Sequence, residues 1–578
     1  MTDALAHRGP DGDGFFAEDG VVLGHRRLKI LDLSDAARQP IADRDGLVVV
    51  SFNGEIYNFR DLRTQLEARG HRFASTGDAA VIPAAYLEWG LDFVRRLRGM
   101  FAVALYDRRD RRMLLVRDRV GIKPLYLARL AEGIVFASEM RAIVAGGWLR
   151  RSPNDEALRQ FLRFGYRTGF ATCYAGIEEL PPGSMLVCDG SGSVELQTYW
   201  QPPQPTDCDP DQVPSRVREL LEGAIERHLQ SDVPVGAHLS GGLDSSSVVG
   251  LMARRAQDPV PVFSVYFADG AWFDERRYST AVSDACGARQ YLVSPTPGEV
   301  LDELPKLVDF LDEPVGGPGA IPQYFLNGCV RNAGVRVVLG GQGGDELFAG
   351  YERYLLPHAL KAAKAGAFGD AVMDMRSSGL RNLAIDLSKR LLKLDPAAML
   401  TAGPRMTSDA LSWDFDRQLL HEFRWYLPML LHIEDRTSMA WSIESRVPLL
   451  DDELIEYILA VPAVTKIRGG RLKWMLRDAV RDVVPDTVLN RTDKRGLPTP
   501  LAGWMRGPLR DFAREVLTDP ILRRNGLVDP AHVQRLFDAQ AAGIRDFSFQ
   551  LWRPLVTAIW LAKPQAPSGE AGFLALAG

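Results

Sequence analysis

The sequence predicts two mixed domains in series: an α+β sandwich of stacked sheets with helices outside (αββα), then an α/β doubly wound parallel sheet that passes into a helical C-terminal part. Three observations carry this. Short alternating or apolar strands broken by turns fill residues 1–200, whereas strands and helices alternate regularly from Val213. Between the two patterns, Gln201 to Pro214 (QPPQPTDCDPDQVP) holds five prolines, the composition of a linker. A chain of 578 residues is also too long for one ordinary core.

In the first domain, residues 1–200, the segments VVLGHRRLKIL, LVVVSF, MFAVALYD, RMLLVRD, PLYLARL and GIVFASE read as strands. Asp61–Arg69 and Ala79–Arg95 read as helices. After the linker, 201–214, the second domain spans 215–563. Its strands VPVGAHL, PVFSVYF, RQYLVS and VRVVLGG are separated by helical stretches such as SSVVGLMARRA, YSTAVSDACG and VLDELPKLVDFL. That rhythm predicts a parallel sheet with ligands beyond its carboxyl ends. Beyond Tyr351 the pattern is mostly helical, and the small-residue tail 564–578 is expected to fray.

Composition narrows the function classes. A formal charge of −5 and no Lys/Arg run interleaved with aromatics disfavour a nucleic-acid partner. The five cysteines (Cys173, Cys188, Cys208, Cys286, Cys329) form no CxxC pair, so neither a disulfide framework nor a zinc site is indicated and a reducing cytoplasm is expected. No apolar run reaches membrane-spanning length and no secretory signal opens the chain, so no membrane association is expected.

The strand VPVGAHL runs directly into SGGLDSS, Ser240 to Ser246, and then into a helical pattern. Free backbone N–H groups and a helix N-terminus there make an anion site. Asp244 would repel a bare phosphate and makes sense holding Mg²⁺ against it. The loop lacks GxxxxGK[ST], which favours gripping pyrophosphate as a leaving group over passing on a terminal phosphate. A Gly-Ser turn with a serine N-cap is the plainer reading of the same string. A second loop, GGQGGDELF from Gly340 to Phe348, also follows a strand, and Asp345 and Glu346 in it could share the magnesium; an exposed turn is its plain alternative.

With both loops in hand, the chain resembles glutamine-dependent asparagine synthetase over nearly its whole length. HRGPDG at His7, RRLKILD at Arg26, NGEIYN at Asn53, STGD at Ser75, GMFAVALYD at Gly99 and RDRVGIKPLY at Arg117 match the glutaminase half. LPPGSML at Leu180, LDEP at Leu311, GYERY at Gly350, DRTSMAWSIESRVPLLD at Asp435, RLKWMLR at Arg471 and KRGLPTP at Lys494 complete the match. The resemblance implies an N-terminal nucleophile hydrolase domain that frees ammonia from glutamine, a tunnel that carries it, and an ATP-pyrophosphatase domain that converts a carboxylate to its adenylate. ATP and Mg²⁺ are the implied cofactors, small molecules the partners, and a homodimer one form the chain could take. The default reaction is aspartate to asparagine with release of AMP and pyrophosphate.

Position by position, the resemblance assigns glutamine binding to Arg27, Asn53, Glu55 and Asp78, and the oxyanion donors to Asn53 and Gly54. Without it, Asn53–Glu55 would be a strand-end turn. It places Leu239, Ser240, Gly241, Gly242, Asp244, Ser245, Ser246, Val265, Gly340 and Gly341 around ATP, and Asp244 and Asp345 on the metal. Lys473 matches a phosphate-binding lysine, where a lone helical lysine is otherwise solvated. Asp435, Arg436, Glu444 and Arg446 fall near the acceptor site, or form a buried ion-pair network.

Three departures matter. The family's catalytic cysteine is the first mature residue, yet this sequence starts at Met1 and has no cysteine before Cys173. As written it is expected to lack glutaminase activity by the family's route, either because an upstream Met-Cys-Gly precedes Met1 or because only ammonia is used. Ala79 and Ala80 replace a common Thr-Glu. Gly340 and Gln342 stand where the family often has Ser and Glu; the family assigns position 342 to adenylate formation, and glutamine cannot act as a general base. That leaves room for another carboxylate acceptor, such as a sugar acid or a secondary metabolite. A tRNA-modifying ATP pyrophosphatase sharing only the first loop would call for a basic face and a cysteine pair, and a non-catalytic relative for loss of Asp244; neither is present.

Overall fold

The computed structural model describes residues 1–18, 20–364, 366, 368–369, 372–373, 414–491, 496–524 and 526–563. The tail 564–578 and Lys494 and Arg495 of the KRGLPTP string lie outside the described residues. The chain forms two compact units, one of Met1–Trp200, Glu303–Gly317 and the chain from Arg510 onward, the other of Gln201–Asp302 and Pro318–Leu509.

In the first unit, β1 (Gly12–Glu18) and β2 (Val21–Arg27) form a hairpin. The main sheet is antiparallel, built from β3 (Ile41–Ala42), β4 (Val48–Ile56), β5 (Gly99–Asp107), β6 (Arg112–Arg117), β10 (Ser184–Cys188) and β11 (Val194–Thr198) in the order β11-β10-β6-β5-β4-β3. A smaller sheet joins β7 (Tyr126–Leu130), β8 (Gly133–Ala137) and β9 (Glu178–Glu179). The two-residue period of a strand sorts the main sheet's side chains between two cores. Val48, Val50 and Phe52 of β4 with Phe101, Val103 and Leu105 of β5 face the helices Phe59–Glu67 and Val81–Trp89. Val49, Ala102, Ala104 and Tyr106 face the opposite way and pack with Leu23 of β2 and Leu127 of β7. Helix Met140–Ala145 lies against β7 and β8, so helices flank two strand layers, as the sequence predicts. The helix read over Ala79–Arg95 is instead divided, because Gly90 adopts a left-handed φ of 58° and ends Val81–Trp89.

The C-terminal helix Ser548–Leu561 buries Leu551, Trp552, Leu555 and Trp560, worth about 1.5–3 kcal/mol for each large apolar side chain. Trp560 Nε1 donates to the Asp312 carbonyl at 2.7 Å, and the Asp312 carboxylate accepts from the backbone N–H of Met140 at 2.6 Å. Those bonds hold segments distant in sequence within one unit.

The second unit is built on a parallel sheet of β12 (Val235–His238), β13 (Pro261–Val265), β14 (Arg289–Val293), β15 (Val337–Leu339) and β16 (Glu444–Arg446), ordered β14-β13-β12-β15-β16. Phe263 and Val338 pack beneath Leu326 and Val330 of the helix Ala320–Asn332. Val262, Val337 and Leu339, alternating to the other face, are also fully buried, so the sheet is covered on both sides. The chain winds outward from β12 to β14, then returns to place β15 on the other side of β12. The strand order therefore reverses between β12 and β15, the point where doubly wound sheets open a crevice. Strand β16 escaped the sequence reading: it has three residues, two of them charged. Among the described residues no helix is long and apolar enough to cross a membrane.

Candidate functional site

Both glycine-rich loops leave the carboxyl ends of the two strands that flank the reversal, β12 and β15. In the first, Ser240 and Ser245 are tied together, with their Oγ atoms 3.0 Å apart and the Ser240 N–H donating to Ser245 Oγ at 3.2 Å. Gly242 precedes the helix Leu243–Ala253, whose first turn carries Asp244, Ser245 and Ser246, and its N–H reaches Ser240 Oγ at 3.3 Å. Ser246 Oγ is buried and has no hydrogen-bond partner among the described residues. Leu239 and Val265 sit at the ends of β12 and β13, where Ser264 Oγ donates to the Leu239 carbonyl at 2.6 Å. Gly340 and Gly341 follow β15. A Cβ on Gly341 would stand 2.8 Å from the Ser245 nitrogen, so only glycine lets the second loop lie against the first.

Asp244 and Asp345 meet at one nitrogen. Lys473 Nζ lies 2.6 Å from both Asp244 carboxylate oxygens and 2.6 Å from Asp345 Oδ1. Lys473 is buried and takes a left-handed φ of 53°, a conformation uncommon for a side-chain-bearing residue and concentrated at functional sites. Gly350 makes room for the cluster, since a Cβ there would lie 2.0 Å from both Asp345 Oδ1 and Lys473 Cε. Next to it Glu346 accepts a hydrogen bond from Tyr351, and burial followed by the neighbouring Asp345 charge pushes Glu346 up to about 7.

Two carboxylates that already converge on one cation suit a divalent ion. Among the described residues no group of three or more His, Cys, Asp and Glu forms a metal site. A magnesium ion held by Asp244 and Asp345 would therefore complete its shell from phosphate oxygens and water, as Mg²⁺ commonly does. The close-set loop backbones and the serine hydroxyls fit a pyrophosphate chain beside it.

Sequence reasoning missed several neighbours. Arg491 donates to the Gly241 carbonyl at 3.3 Å, pairs with Glu275 and stacks 4.0 Å over the Tyr278 ring. Arg491, Glu275 and Tyr278 line a cavity of about 440 Å³ together with Trp272 and Arg277. Glu434, on the helix Leu427–Met439, accepts from Gln342 Nε2 at 3.2 Å, Gln323 Nε2 at 2.9 Å and Ser445 Oγ at 2.6 Å. Its carboxyl stays below the usual range: burial opposes ionisation, but His238, Ser445 and Gln342 outweigh it. Of the charged string, Arg446 is fully buried, pairs with Glu444 at 2.7 Å and donates to the carbonyls of His228 and Gln230 at 2.7 Å. Arg436 and Asp435 are also buried, 3.7 Å apart.

In the first unit, Asn53, Gly54 and Glu55 end β4, with Gly54 opposite Phe101 of β5. Asn53 Nδ2 reaches Ser138 Oγ at 3.5 Å. Arg27, at the end of β2, donates to the carbonyls of Ser34 at 2.8 Å and Asp32 at 2.5 Å, and burial lowers its pKa. Asp78 accepts from the Ile56 N–H at 2.9 Å, which fixes it to the strand end beyond Glu55. The link between these segments is Asp32, which sequence reasoning passed over. Its carboxylate accepts from Ser34 Oγ at 2.6 Å, Ser75 Oγ at 2.6 Å and the Thr76 N–H at 2.8 Å, joining the Arg27 turn to the turn before Asp78. Hydrogen bonds through Asp32 thus join the Arg27 turn to the segment that leads to Asp78, while Asn53 bonds to Ser138 instead.

Residues 216–562 match the family described as asparagine synthase, and residues 1–200 match the glutamine amidotransferase domain. A glutamine-hydrolysing asparagine synthetase of Bacillus subtilis is 30% identical to the chain, across 97% of this chain and 92% of its own length. A protein of Mycobacterium bovis named as a putative glutamine-hydrolysing asparagine synthetase is 32% identical across 96% and 92%. A Gibberella zeae protein named amidase chry2 is 28% identical across 93% and 90%.

Proposed function

The chain belongs to the asparagine synthase family of ATP-dependent amide ligases, and from that premise we propose that it makes asparagine from aspartate through a β-aspartyl-adenylate. The observation that carries the proposal is the junction of Asp244, Asp345 and Lys473 at the strand reversal. A carboxylate is a poor electrophile, and adenylation replaces its oxygen with a stabilised leaving group. In this reading the loop N–H groups and the serine hydroxyls bind the departing pyrophosphate. Lys473 stays in place and donates to its oxygens. Asp244 and Asp345 would hold Mg²⁺, which would supply charge neutralisation on the phosphates. In the first unit Arg27 and Asp78 grip the glutamine carboxylate and amino group, while Asn53 Nδ2 and the Gly54 N–H face the amide oxygen.

One observation favours a second acceptor. The amide of Gln342 stands at the position to which the family assigns adenylate formation, and a relative bears an amidase name. Another carboxylate, such as a sugar acid or a secondary metabolite, is therefore the alternative substrate.

The test is ATP–pyrophosphate exchange across a panel of carboxylates, followed by AMP and amide release with ammonium as nitrogen donor. Exchange with aspartate, and AMP formed in step with asparagine, is the expected result. Exchange with a different acid alone would select the alternative, and no exchange with any carboxylate would refute adenylation.

A further inference from the structure

The short helix that carries Asp345, Gly344–Leu347, is a single turn. It follows Gly343, at a left-handed φ of 87°, and is soon followed by Ala349, at 53°. One turn of helix does not hold itself in place, because few internal bonds offset its ordering and its last carbonyls have no partner within it. Two lysines from one segment of chain grip it. Lys473 Nζ meets Asp345 Oδ1 at 2.6 Å near its start. At its end Lys466 Nζ donates to the Leu347 carbonyl at 3.1 Å, a bond that basic side chains make to helix C-termini.

The segment between the lysines is closed on itself. Trp474 Nε1, next to Lys473, donates at 2.7 Å to the carbonyl of Thr465, next to Lys466. Further in, Arg468 and Arg471 form a bridge, and the Arg471 N–H donates to the Arg468 carbonyl at 3.0 Å around Gly469 and Gly470. Ala463 and Ile467 pack with Ala349, just beyond the helix. These contacts fix where the two ammonium groups stand relative to each other. Lys466 is also a residue that a fold serving stability alone would leave out. It is 4% exposed, it meets a carbonyl oxygen, and among the described residues no carboxylate pairs with it. A buried charge without an ion pair is destabilising, and such broken rules concentrate at functional sites.

We propose that Lys466 is a positioning residue for the site of Asp244 and Asp345. Through the Leu347 carbonyl it holds the helix Gly344–Leu347 in register with Lys473, so that the Asp345 carboxylate stays aimed at the ion it would share with Asp244. The closed segment Thr465–Trp474 is the clamp that carries both lysines. Groups that orient a metal ligand without touching the metal typically change affinity or activity about 10–100-fold. The inference rests on the reading above that these two aspartates hold Mg²⁺ beside pyrophosphate, and it adds the residue that keeps one of them in place.

Lys466→Met removes the donor and keeps most of the side chain's volume. At neutral pH its thermal midpoint in metal-free buffer should be no lower than the parent's. The magnesium concentration for half-maximal ATP–pyrophosphate exchange should nevertheless rise at least about tenfold, while the KM for the carboxylate substrate does not change. The midpoint shift produced by MgCl₂ with sodium pyrophosphate should shrink, because weaker binding stabilises the fold less. Trp474→Phe, which leaves both lysines and opens only the bond to Thr465, should move the magnesium requirement in the same direction. A parent-like magnesium requirement and midpoint shift in Lys466→Met would overturn the proposal. So would a lowered midpoint in metal-free buffer with exchange lost at every magnesium concentration, the result of a lysine that only holds the fold. An unchanged requirement in Trp474→Phe would overturn the clamp, whether or not Lys466→Met folds. A parent chain that exchanges with no carboxylate, yet is stabilised by magnesium pyrophosphate, would refute the adenylation reading alone, and the midpoint shifts of the variants would then decide this inference.

Discussion

Replacing Lys473 with methionine removes a cation from between two carboxylates while keeping most of the side chain's volume. The lysine side chain is 3% exposed, Asp244 10% and Asp345 19%, so the three charges are shielded from bulk water. Breaking a buried pair by removing one partner costs about 3–5 kcal/mol, and the partial exposure of Asp345 places this case toward the lower end. The two aspartates are then left facing each other with no countercharge between them. Lys473→Met should therefore unfold at a lower temperature than the parent in metal-free buffer. Magnesium, which can neutralise the same pair, should raise its midpoint by more than it raises the parent's. Activity should fall further than stability, because a positively charged donor to the departing pyrophosphate is lost; removing one such donor costs about 10²–10³ in rate. Scanning calorimetry with and without MgCl₂, paired with ATP–pyrophosphate exchange at a temperature where both proteins are folded, reads the two effects separately. A folded Lys473→Met protein that exchanges at the parent's rate would refute the role given to this lysine, and a midpoint insensitive to magnesium would refute the shared site for the metal.

Three further outcomes are expected. Gly350→Ala should reduce exchange at least about tenfold while costing only about 1–3 kcal/mol, the usual price of overpacking, since its Cβ would displace Asp345 Oδ1 and Lys473 Cε; folded protein with full exchange would show that their placement is unimportant. Asp32→Asn should weaken L-glutamine binding, measured by titration calorimetry, because it strips the charge that joins the Ser34 and Ser75 turns. Burial opposes ionisation of Asp32, but hydrogen bonds from Ser34, Ser75 and Thr76 hold its pKa below the usual range. Its stabilisation is thus present above about pH 4 and is lost as the pH falls through the lowered folded value, so the parent and Asp32→Asn should converge only in strong acid. Lys466 is pushed down to about 8 by burial, partly offset by Asp416, so its charged form is penalised in the fold. Lys466→Met should therefore gain stability below pH 8, by a few kcal/mol, and the gain should shrink as pH rises from about 8 towards 10.5, where the unfolded lysine also loses its proton. A gain independent of pH would contradict this.

The sequence makes the sheets legible because β4, β5, β13 and β15 are runs of apolar residues with sharp turns, and burial on both faces leaves little ambiguity about them. Strand β16 is not legible, because Glu444 and Arg446 satisfy each other inside the protein and so carry no apolar signal. The loop Ser240–Ser246 is readable for a local reason, since strand, loop and helix N-terminus are contiguous. Asp32 and Glu434 are unreadable for the opposite reason. Each acts by tying together segments far apart in sequence, Ser34 to Ser75 and Gln323 to Gln342 to Ser445, and no local pattern records which acidic residue will be drawn inside. The same holds for residues 303–317 and those from 510 onward, whose helical patterns carry no mark of the unit they join.

Topology explains why the chemistry can be spread so widely along the chain without losing precision. Because β15 returns to the flank of β12 and β16 follows it, the ends of three strands stand side by side, and each contributes a group within a strand spacing of the next. β12 brings His238 and, after its loop, Asp244; β15 brings Gly340, Gln342 and Asp345; β16 brings Ser445. Helices lying over those ends add Glu434 and Lys473. Asp244 and Asp345 on one side and Glu434 on the other are then held by different partners, Lys473 for the first pair and neutral amides, a hydroxyl and a histidine for the second.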